Sequence, residues 1–165
     1  MNAIRVLPVL ALMALAACTT TVDGFGEDDV RSCVRDMVKN LDHAAQKGHF
    51  ARPGCRLPVT VRPFACKGAA PGQAETGRLL ASRLEEELRI GNRFFLVSPA
   101  VRDSSAGKAT VEPQYLIDGA FIQRELPGDR GRRCVEYTVK VVVTDLRTGA
   151  QVFAKNFVMR KSAAD

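Results

Sequence analysis

The chain has 165 residues, 24 Lys and Arg against 18 Asp and Glu, and a formal net charge of +6. With 46% hydrophobic residues, 25% charged residues and five Cys, it is neither disordered, collagen-like nor a polytopic membrane protein. One ordinary globular domain remains.

Residues 1–17 read as a lipoprotein signal peptide. Arg5 supplies the positive n-region, and the apolar stretch Val6 to Ala17 is 12 residues long, where a membrane span needs roughly 20. Leu15-Ala16-Ala17-Cys18 resembles a lipobox, in which small residues fit the signal peptidase and the Cys18 thiol accepts a diacylglyceryl group. The mature protein is therefore expected to begin at the lipidated Cys18 and to contain 148 residues. Several acyl chains on one Cys give stable anchoring. Thr19, rather than Asp, follows the Cys, which by resemblance to bacterial lipoproteins implies the outer membrane, facing the periplasm. Residues 18–27 read as the lipidated Cys and a short flexible tether, and Thr19 to Glu27 reach at most about 30 Å.

Loss of Arg5 leaves 23 basic against 18 acidic side chains, a mature net charge of +5. Nucleic acid is not the partner of such a charge in the envelope. Anionic phospholipid, lipopolysaccharide, peptidoglycan carboxylates and acidic protein patches are the available counter-charges, and a basic surface also serves solubility.

Residues 28–165 form the single domain. From Asp28, apolar Val30, Cys33, Val34, Met37, Val38, Leu41, Ala44 and Ala45 recur at helical spacing, and Lys47-Gly48 ends the run. His49 to Arg56 is a loop, and Leu57 to Arg62 is a strand closed by Pro63-Phe64. After a loop at Gly68 to Gly72, Gln73 to Ile90 is helical, with Leu80, Leu84 and Leu88 on one stripe and Gly91-Asn92 as its stop. Phe94 to Val97 is a short strand that completes a parallel β-α-β unit. Tyr115 to Glu125, Cys134 to Leu146 and Gln151 to Met159 are strands, with turns at Leu126 to Arg133 and Asp145 to Gly149. In the middle one, Val135, Tyr137, Val139, Val141 and Val143 alternate with polar residues, the signature of a half-buried strand. The expected fold class is α/β (α+β): a single mixed β-sheet with helices mainly on one face, the β-α-β unit preceding a three-stranded antiparallel meander.

With Cys18 acylated, Cys33, Cys55, Cys66 and Cys134 remain, an even number in an oxidising compartment. Cys55 and Cys66 flank a strand and stand too far apart for a bridge, which needs Cα atoms within roughly 7 Å. Two disulfide sets are left: Cys33 with Cys66 and Cys55 with Cys134, or Cys33 with Cys55 and Cys66 with Cys134. A first helix antiparallel to the strand favours the first set. Four buried thiols are the other reading.

Catalysis needs groups within hydrogen-bond reach of one another, and the sequence offers no such set. His43 and His49 read as solvated surface residues, and consecutive Glu85, Glu86 and Glu87 point in different directions on a helix. No enzymatic activity, catalytic residue, metal or cofactor is expected. Arg124, Arg130, Arg132 and Arg133 converge on the turn between the two long strands, and guanidinium groups suit carboxylate and phosphate. This basic tip is a candidate contact for an acidic partner surface or anionic envelope polymer, against the plainer reading of a hydrated hairpin end. Lys140 with Thr138 and Thr144 is a second candidate surface.

The segments Val59-Thr60-Val61-Arg62-Pro63-Phe64, Leu84-Glu85-Glu86-Glu87-Leu88, Asn92-Arg93-Phe94-Phe95-Leu96-Val97-Ser98, Tyr115-Leu116-Ile117-Asp118-Gly119-Ala120 and Tyr137 to Gly149 resemble, in order and wording, the LpoB-type lipoproteins that activate penicillin-binding proteins. Arg160-Lys161 fits as well. The same signature is similar to that of the curli-secretion lipoprotein, a flagellar outer-membrane lipoprotein and the TolB N-terminal domain. The resemblance implies a protein-binding module of the cell envelope whose partner is a penicillin-binding protein. The alternatives are an assembly lipoprotein of flagellar or curli-secretion type and a structural lipoprotein.

Overall fold

The computed structural model describes residues 24–50, 55–67, 73–97, 111–127 and 133–162, with Gln73 and Arg133 described by their backbone alone. Helix α1 spans Glu27–Gln46. Its apolar stripe buries Val30, Val34, Met37 and Leu41 completely, each contributing about 2 kcal/mol of apolar burial. The start of α1 is fixed by one carboxylate. Asp29 Oδ2 accepts the Gly26 N–H at 2.8 Å and the Lys161 ammonium at 2.6 Å, and Lys161 also donates to the Gly24 carbonyl at 3.2 Å. The Asp29 and Lys161 side chains are only 17% and 27% exposed, so the pair is screened far less than a surface ion pair. Asp29→Ala is expected to cost about 2 kcal/mol, seen as a lower urea midpoint at unchanged m-value. Asp28→Ala, at a side chain 99% exposed, should leave the midpoint in place.

Strands β1 (Leu57–Val61), β3 (Phe94–Leu96) and β4 (Tyr115–Pro127) run parallel, with Leu57 beside Phe94 and Val59 beside Tyr115. Helix α2 (Gln73–Ile90) crosses between β1 and β3 and buries Leu80, Leu84 and Leu88. Strands β5 (Arg133–Asp145) and β6 (Gln151–Ser162) extend β4 into an antiparallel meander. The sheet order is β3-β1-β4-β5-β6, one mixed sheet as expected. Residues of one parity, among them Val59, Ile117, Phe121, Tyr137, Val139 and Val141, join the core under α1 and α2. Those of the other parity, including Glu136, Thr138 and Lys140, point away from the core.

Strand β2 (Ala65–Lys67) was not expected where Pro63-Phe64 was read as the strand's end. The chain kinks there and resumes pairing with the same neighbour, Ala65 to Lys67 lying parallel to Ala120 to Ile122 of β4. The reason is tertiary. Pro63 has no N–H to donate, and the Phe64 N–H leaves the ladder for the Gly77 carbonyl of α2 at 3.2 Å. The β4–β5 hairpin is also longer than expected, pairing through Pro127 with Arg133, and β6 runs on to Ser162. Ladder hydrogen bonds with a partner override the Pro-Gly turn chemistry of this stretch until Pro127.

Two glycines hold this kink. A Cβ on Gly77 would collide with the Phe64 carbonyl oxygen and come within 2.8 Å of Cys66 Sγ. A Cβ on Gly119 would collide with the Lys140 carbonyl oxygen and lie 2.7 Å from the Phe64 ring. Phe64, 3% exposed, is thus packed between a helix and a strand that both lack side chains at the contact.

Candidate functional site

The first candidate is the arginine end of the hairpin. Arg124 is exposed and sits opposite Glu136 in the β4–β5 ladder, while Glu136 sits opposite Arg160 in β6. Arg160 Nε holds Glu136 Oε2 at 2.8 Å, so that carboxylate is engaged across the β5–β6 ladder. Arg130 and Arg132 lie outside the described residues, and the side chain of Arg133 is likewise not described. Convergence of all four arginines therefore rests on the connection between Pro127 and Arg133. The second sequence candidate, Lys140, is exposed beside Ala120 and Asn156, with half-buried Thr138 and Thr144 on the same face.

The hairpin end coincides with the start of α1. Phe25 packs its tilted ring against Phe121 and Tyr137 with ring centroids 5.0 and 5.3 Å away, and Gly24 is tied to Lys161. Gly24, the first described residue, therefore lies at the arginine end. A groove of about 270 Å³ runs nearby between α1 and the β5–β6 edge, lined by Phe25, Cys33, Tyr137 and Phe157 among others. Burial pushes the Tyr137 hydroxyl up, opposed by the Lys161 charge and reinforced by Asp29.

A site that sequence reasoning missed lies at the opposite end of the sheet. A cleft of about 330 Å³ is lined by Asp42, Cys55, Arg56, Asn92 and Arg93. Parallel pairing of Leu57 with Phe94 brings the two preceding residues, Arg56 and Arg93, into one place. Arg56 Nη2 donates to the Phe94 carbonyl at 3.2 Å. Arg93 Nε stands 3.9 Å from Asp42 Oδ1, an ion pair longer than a hydrogen bond. Burial pushes the Asp42 carboxyl up, and the Arg93 charge draws it partly back. The cleft thus holds two guanidinium groups against one partly desolvated carboxylate, an arrangement able to receive a further carboxylate or phosphate.

Both expected disulfide sets are corrected. Cys33, Cys55, Cys66 and Cys134 are all thiols, with Cys33 buried and Cys55 exposed. Strand geometry gives the cause. Cys66 and Cys134 stand beside Phe121 and Leu126 on opposite sides of β4, roughly 17 Å apart along it. Cys55 precedes β1 at one end of the sheet and Cys134 opens β5 at the other, roughly 40 Å away. Cys33 lies over β5 and β6, two strand spacings or about 10 Å from the β2 position of Cys66, and about 13 Å along α1 from Asp42, which lines the Cys55 cleft. None of these separations fits a bridge.

His43 and His49 are exposed. Glu86 pairs with Arg83 at 2.7 Å and Glu85 reaches Arg89 at 4.0 Å, so these acids lie on different lines of α2. Among the described residues no three His, Cys, Asp or Glu side chains gather to hold a metal ion, and no helix is long and apolar enough to cross a membrane. Cys18 lies outside the described residues.

No protein-family model and no curated protein matches the chain. Among solved structures it is similar to the LpoB C-terminal domain from Escherichia coli, at 14% identity and a TM-score of 0.45 over 79% of this chain and 98% of that one. It is also similar to the lipoprotein GNA1162 from Neisseria meningitidis, at 12% identity and a TM-score of 0.42, covering 64% and 83% of the two chains. A PelC dodecamer from Paraburkholderia phytofirmans matches at 19% identity and a TM-score of 0.40, covering 65% and 74%.

Proposed function

We propose that this chain is an outer-membrane-anchored periplasmic lipoprotein, a non-enzymatic module that docks onto and activates a peptidoglycan synthase of the penicillin-binding protein class. The observation that carries the reading is the placement of the segments that resemble LpoB-type lipoproteins. Val59 to Phe64 makes β1 and its kink, Phe94 to Leu96 makes β3, Tyr115 to Ala120 opens β4, and Tyr137 to Gly149 makes most of β5 and its turn. These are the pieces that set the sheet, in the same order along the chain. The lipobox-like Leu15 to Cys18 supports the anchor.

A second reading is favoured by the tether. With Cys18 lipidated, the five residues between it and Gly24 would keep the domain within about 20 Å of its membrane, which suits an assembly lipoprotein of flagellar or curli-secretion type. Mixing the purified lipidated protein with a bifunctional penicillin-binding protein of the same organism separates the two. The activator reading expects a one-to-one complex and faster glycan polymerisation. Absence of binding, with envelope-assembly proteins or only further copies of the chain captured by crosslinking in intact cells, would give the second reading.

A further inference from the structure

We propose that the protein docks its partner through the end of the domain opposite the tether, the end that carries both the Arg56–Arg93 cleft and exposed Ile90 and Leu146, and that the partner segment presents a carboxylate flanked by apolar side chains. The proposal rests on the lipid-anchor and protein-docking readings above and names the surface they leave unassigned. The arginine hairpin, the sequence's own candidate, is at the wrong end.

Reach decides the orientation. Five residues lie between Cys18 and Gly24, so the six steps of chain span about 20 Å at most. Gly24 is tied to Lys161, which pairs with Val135, and ten residues of β5, about 33 Å, separate Val135 from Asp145 at the other end of the sheet. A bilayer lying against the Asp145 end would be beyond the reach of an anchor on Cys18. That end therefore faces away from the membrane, open to a partner.

Composition decides the chemistry. Four large apolar side chains stand exposed among the described residues, and three of them gather at this end: Ile90 at 75%, Val111 at 58% and Leu146 at 44%. Ile90 ends α2 beside β3, Leu146 donates its N–H to the Gln114 carbonyl, and Val111 precedes Gln114 by three residues. They line the same end of the sheet as the cleft. Apolar side chains around arginines are the composition of an interface centre, where a guanidinium receives a carboxylate and neighbouring apolar area excludes water. Among the described lining residues Asp42 is the one carboxylate, which leaves the pair Arg56 and Arg93 with excess positive charge and selects an acidic partner segment.

The test places a photocrosslinking residue singly at Ile90, Leu146, Arg124 and Val158 of the full-length lipidated protein in intact cells. The Ile90 and Leu146 probes are expected to capture one and the same protein. That capture should fall roughly tenfold with Arg93→Glu and stay unchanged with Arg124→Glu. Arg93→Glu also places two acids together in the cleft, so Arg56→Ser, at an exposed side chain, provides a second reading and should weaken capture in the same direction. Capture from Arg124 or Val158 alone, or capture from Ile90 that ignores Arg56 and Arg93, would overturn the assigned surface while leaving the docking function standing. No capture at any position would overturn both.

Discussion

Gly119→Ala is expected to destabilise the domain by about 3 kcal/mol, enough to lower Tm by roughly 10 °C. The added methyl meets the Lys140 carbonyl of the neighbouring strand and the buried Phe64 ring at 2.7 Å, and neither can yield cheaply. Lys140 is held in ladders on both sides, opposite Ala120 and Asn156. Phe64 is pinned through its N–H to Gly77, where α2 approaches closely. The comparison is Gly149→Ala, where φ is +71° and nothing lies within 4 Å of the added carbon, so only backbone strain opposes it. About 1 kcal/mol is expected there. Calorimetry of the two variants separates steric from conformational cost. Equal losses would show that Phe64 moves aside and that the kink is not held by close packing.

The contrast between those glycines also marks what could be read in advance. Gln73–Ile90 was legible to the residue because the Leu80, Leu84, Leu88 stripe and the Gly91-Asn92 stop are local signals. The alternation of Val135 to Val143 likewise placed β5 and its buried face. Strand β2 was not legible, since three residues after a proline carry no period and owe their extended form to β4. The cleft was hidden for a related reason. Arg56 and Arg93 meet only through the β1–β3 register, which no pattern within either segment specifies. Disulfide pairing was hidden differently: an even count of cysteines says nothing about where α1, the segment before β1, β2 and β5 put them.

Those thiols yield the second large expectation. Cys33 is 7% exposed, and its thiol is pushed up to about 12, first by burial and second by the nearby Asp36 charge. At pH 8 its thiolate is about a thousandfold scarcer than it becomes once unfolding returns the thiol to 9.0, so an alkylating reagent should spare buried Cys33 until the domain unfolds. The same shift links to stability. Below pH 9 the thiol is protonated in both folded and unfolded chains and the burial contribution is fully present. Between pH 9 and about 12 only the unfolded chain loses the proton, so stability falls by about 1.4 kcal/mol per pH unit from this group. Cys33→Ala removes that part of the slope, and the difference between the two urea titrations isolates it from other groups that titrate in alkali. Dithiothreitol supplies the remaining check. With no bridge to break, Tm should not move on reduction, whereas a structural disulfide would surrender about 2 to 5 kcal/mol. A reduction-sensitive Tm would mean that the domain rearranges enough to join cysteines that lie roughly 10 to 40 Å apart here.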